Sequence, residues 1–178
     1  DDGVRTPILI RWDGVIRPKT ENGICSSIDL LPTLLGAAEI PITQDLSLPG
    51  INLLAFLKDD KPVPTDRSIF GEIYPGDATS LNSASHDIAY RWIRKGDMKL
   101  IIPHFNSSSN GSPSKSNLKH PNQLKSKAWN NYVREESLFD LSRDPFEKLN
   151  LIGLTLHATD REALKSEVND WWQPAGSR

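Results

Sequence analysis

The residues with most chemical scope are few and scattered. His86 and Asp87 close a stretch rich in Gly, Ser and Asn, just before a β-prone run. Taken by itself, a histidine in such a loop reads first as a solvated surface side chain. Glu72 and Tyr74 flank the same loop from its other side. Arg5 follows a glycine and precedes an apolar run, where it either anchors a strand end through a carboxylate or faces a binding site. The other histidines, His104, His120 and His157, show no pair at metal-ligand spacing, which argues against a zinc site. Cys25 is the one cysteine, so no internal disulfide forms, and its place at the mouth of an apolar helix suits an unreactive thiol. Asp29 opens that helix, where capping and the helix dipole account for a carboxylate. The glycines never cluster in a phosphate-cradling order.

The elements that must position these groups are legible from periodicity. Pro7 to Trp12 is an apolar, β-branched run closed by Asp13-Gly14, the pattern of a buried strand. Ser26-Ser27 caps a predicted helix from about Ile28 to Ala38, with Ile28, Leu31, Leu35 and Ala38 as its apolar stripe and Pro32 tolerated in the first turn. Pro49-Gly50 leads into a short helical run over 52–57. Strands are predicted over 68–74, 87–94 and 98–103, the last two joined as a hairpin through Lys95-Gly96-Asp97. A fourth strand, Leu138 to Leu141, stops at Asp144-Pro145 because proline gives the ladder no N–H. Thr159 and Glu162 form a capping box for a final helix that places Leu164, Val168, Trp171 and Trp172 on one face.

Between the hairpin and the fourth strand, about 104–131 is a long polar insertion with basic residues and the glycosylation patterns Asn106-Ser107-Ser108 and Asn110-Gly111-Ser112. The chain has 178 residues, enough for one domain plus part of another, and the charged, proline-bearing stretch before residue 67 is the expected boundary. A net charge of −2 gives no reason to expect nucleic acid or an anionic membrane as partner, and no apolar run reaches spanning length. The abrupt start on Asp1-Asp2-Gly3 suggests a piece of a longer precursor.

Three motifs fall in a telling order. Gly3-Val4-Arg5-Thr6-Pro7, then Asp29-Leu30-Leu31-Pro32-Thr33, then Leu138-Phe139-Asp140-Leu141-Ser142-Arg143-Asp144-Pro145-Phe146-Glu147 together resemble the C-terminal portion of a formylglycine-dependent sulfatase of the alkaline-phosphatase-like superfamily. Tyr90 to Ile101 is similar to that family's C-terminal hairpin.

The resemblance implies an α+β fold: a small antiparallel sheet of about four strands with the terminal amphipathic helix packed on it. One strand and one helix of a larger α/β domain precede it. Residues 1–66 are then the remnant of the large domain and 67–178 the C-terminal subdomain. It implies hydrolysis of sulfate esters, aryl sulfates or sulfated carbohydrates, by an enzyme using calcium and formylglycine.

Neither group is expected on this chain. The formylglycine motif needs Pro or Ala two residues after the cysteine and Arg four after, where Cys25 has Ser27 and Asp29. The expectation is a catalytically inert fragment whose partner is the missing N-terminal sulfatase domain, with His86, Asp87 and Arg5 as possible substrate contacts. Self-association through Pro7 to Trp12 is a further expectation, and a secreted or periplasmic location follows from resemblance alone. The competing readings are a related phosphodiesterase or phosphonate hydrolase and a stand-alone binding or assembly module.

Overall fold

The computed structural model describes residues 5–43, 47–59, 61–74, 88–104 and 135–173. His86, Asp87, both glycosylation patterns and nearly all of the polar insertion lie outside them. The chain divides into two compact units, Asp1–Ile69 and Phe70–Arg178, against an expected change at 66/67.

In the first unit a 3-10 turn over Ser27–Asp29 runs directly into α1, Leu30–Ala37. Pro32 sits in the first turn of α1, where its missing N–H costs no intrahelical bond. A second short helix, α2, covers Leu54–Lys58. Ile24, Leu53, Leu54 and Val63 form the buried apolar set of this unit, and Ile24 N donates to the Pro64 carbonyl at 3.0 Å. The predicted stripe is not buried: Ile28, Leu31 and Ala38 are exposed and Leu35 is half-buried, and Leu34 beside it is 65% exposed. Residues 7–12 carry no ladder and are not a strand, and Leu9 is 93% exposed. A β-strand is defined by its neighbour's N–H and C=O groups, so an apolar sequence alone leaves extended backbone without a ladder.

The second unit is built on a four-stranded sheet in the order β1-β2-β3-β4, comprising Ser68–Ile73, Tyr90–Lys95, Met98–Pro103 and Ser137–Asp140. β1 begins two residues before the boundary between the units. β2 and β3 pair antiparallel with Ile93 opposite Leu100, and β3 and β4 pair antiparallel with Leu100 opposite Leu138. The hairpin turns through Gly96 and Asp97, with Gly96 at φ 57°, a value that suits glycine at the first central position of a two-residue hairpin loop.

The final helix, α3, spans Ala158–Trp171 and lays Leu164 and Val168 on the sheet. Together with Ile93, Leu100, Ile102 and Leu138 they form the core, and Phe70, Met98, Leu151 and Ile152 pack around it. Each fully buried side chain of this size contributes about 1.5–3 kcal/mol by leaving water. The predicted capping box is not used. α3 grows out of a 3-10 turn over Thr155–His157, so Thr159 already lies inside its first turn.

Candidate functional site

The carboxylate of Asp29 is fully buried in the first unit. Its Oδ2 accepts from Ser26 N (2.8 Å) and Arg67 Nη1 (2.7 Å), and its Oδ1 from Ile51 N (2.9 Å) and Arg67 Nη2 (2.9 Å). Burial pushes its pKa up, but the two-pronged Arg67 contact and the two backbone N–H groups outweigh this and hold it below 3.8. Thr33 extends the same node: its hydroxyl donates to the Asp29 carbonyl (2.6 Å) and accepts from Leu53 N (2.9 Å). The Pro-Gly segment is pressed onto it, since a Cβ on Gly50 would lie 2.1 Å from the Ile28 carbonyl oxygen. The Asp-x-x-Pro-Thr motif is thus a structural node joining α1, residues 50–53 and Arg67. Arg67 was not foreseen, because it ends a charged stretch that reads as loop.

The signature around β4 is a turn braced on its own side chains. Asp140 accepts from Ser142 N (3.0 Å) and Ser142 Oγ (2.6 Å), and Ser142 holds the Asp140 carboxyl below its usual range. Asp144 Oδ2 accepts from Leu149 N at 2.7 Å. Glu147 adopts φ 54° and reaches Lys99 Nζ on β3 at 2.6 Å, in a pair whose side chains are 11% and 6% exposed. The Lys99 ammonium also lies 5.5 Å from the Trp92 ring centroid. Asn150 Oδ1 accepts from Leu138 N (2.9 Å), returning the chain along β4. Each polar residue of this motif therefore has a structural partner.

A third polar group stands at the end of the sheet where β1 and β3 run out. Glu72 accepts from Tyr74 Oη (2.7 Å) and Trp172 Nε1 (2.5 Å). Arg91 lies over the Trp172 ring at 4.8 Å and donates to Asn169 Oδ1 at 3.0 Å. Burial lowers the Arg91 pKa and the nearby Glu72 charge opposes this. His104 tilts against the same indole with ring centroids 4.9 Å apart.

Of the sequence-predicted contacts, Arg5 is exposed, and His86 and Asp87 fall outside the described residues. Cys25 is half-buried, and burial, then the Asp29 charge, raise its thiol pKa, away from nucleophilic character. Among the described residues no group of three or more His, Cys, Asp or Glu could hold a metal ion, and no helix is long and apolar enough to cross a membrane.

No protein-family model matches the sequence. Arylsulfatase A of Homo sapiens is 30% identical over 167 residues, covering 93% of this chain and 30% of that protein. An ulvan-active sulfatase of Formosa agariphila is 27% identical over 187 aligned positions, covering 99% of this chain and 34% of that protein. The chain thus spans about a third of the length of these curated relatives. A solved Bacteroides thetaiotaomicron structure, connected with that organism's metabolism of multiple glycosaminoglycans, superposes with a TM-score of 0.56 at 21% identity. It covers 90% of this chain and 28% of the other, and shows a shared α+β fold. With its motifs, its sheet-and-helix unit and these relatives in agreement, the chain belongs to the arylsulfatase-like sulfatases.

Proposed function

We propose that this chain serves a sulfatase that hydrolyses sulfate esters, supplying scaffold and a rim of the substrate pocket rather than the reacting groups. Water is consumed, the ester S–O bond is cleaved, and an alcohol or phenol leaves with inorganic sulfate. The observation that carries this reading is similarity to arylsulfatase A along 93% of the chain, combined with motif carboxylates, Asp29 and Glu147, that are engaged in structural bonds. The names of the relatives point to an aryl sulfate or a sulfated polysaccharide as substrate.

In this reading calcium and the formylglycine nucleophile belong to a further part of the enzyme, which is also this chain's partner. The exposed leucines of α1 and the apolar run at 7–12 are surfaces such a partner would cover. His86, Asp87 and Arg5 are its candidate substrate contacts, and the complete enzyme is secreted or periplasmic.

The chain alone should not turn over 4-nitrophenyl sulfate. Turnover abolished by calcium chelation would overturn its assigned role. Sequencing the gene upstream tests the chemistry: a cysteine followed by Pro or Ala at the second position on and Arg at the fourth supports a sulfatase. Serine or threonine there points instead to phosphoryl transfer.

A further inference from the structure

We draw no further inference here: the strongest candidate, the exposed apolar side chains Phe146 and Leu149 on the turn after β4 with Leu154 and Leu156 on the way into α3, carries nothing because no feature of the structure shows what covers them.

Discussion

At the scale of single residues, this chain spends its buried charges on structure. Arg67→Leu would leave the Asp29 carboxylate buried without its cation, and breaking one side of such a pair costs about 3–5 kcal/mol. Urea unfolding at neutral pH should show that loss. The depressed Asp29 pKa also sets the acid limb. Between its value in the fold and the 3.8 of an unperturbed aspartate, the unfolded chain binds more protons than the folded one, so stability falls as pH drops through that window. Glu136 adds to the same limb below 4.5: burial raises its pKa, and Lys165 and Arg161 more than reverse this. Unfolding midpoints measured from about pH 6 to pH 2 should decline, and the decline should be shallower in Asp29→Asn. Glu147→Ala takes its carboxylate away from the buried Lys99 ammonium and should also destabilise, whereas Lys99→Met combined with Glu147→Leu should recover most of the loss, as replaced buried pairs often do. A double variant no better than Glu147→Ala would show that Glu147 acts on its turn instead of through Lys99.

At the scale of elements, the core rests on the β2–β3 hairpin, β4 and α3. Leu100 is fully buried opposite both Ile93 and Leu138, so Leu100→Ala should destabilise by about 2–5 kcal/mol in denaturant melts. These strands and the final helix were readable in advance because alternation, a glycine turn and an i, i+4 stripe are local signals. β3 kept both of its predicted ends, whereas those of β2 and β4 shifted by one to three residues, since the ladder partner decides where a strand stops. The capping box at Thr159 was legible but unused, because the turn before it had already started the helix. Residues 7–12 show the opposite limit, an apolar sequence of strand type with no ladder.

At the scale of the molecule, apolar side chains such as Leu9 stand in water, and a second copy could cover them. Light scattering after size exclusion should show mass rising with concentration, and Leu9→Lys should reduce it; a monomer at every concentration would count against association through this run. The sequence by itself determined the family, the α+β composition, the strand order of the hairpin and the faces of the final helix. Each depends on residue type and short spacing. Tertiary structure alone decided what the motif residues do. Asp29 finds Arg67 across 38 positions, Lys99 finds Glu147 across 48 and Glu72 finds Trp172 across 100, and no local pattern encodes such pairings. A side chain's partners are set by where the backbone brings it, and that is fixed only once the core has closed.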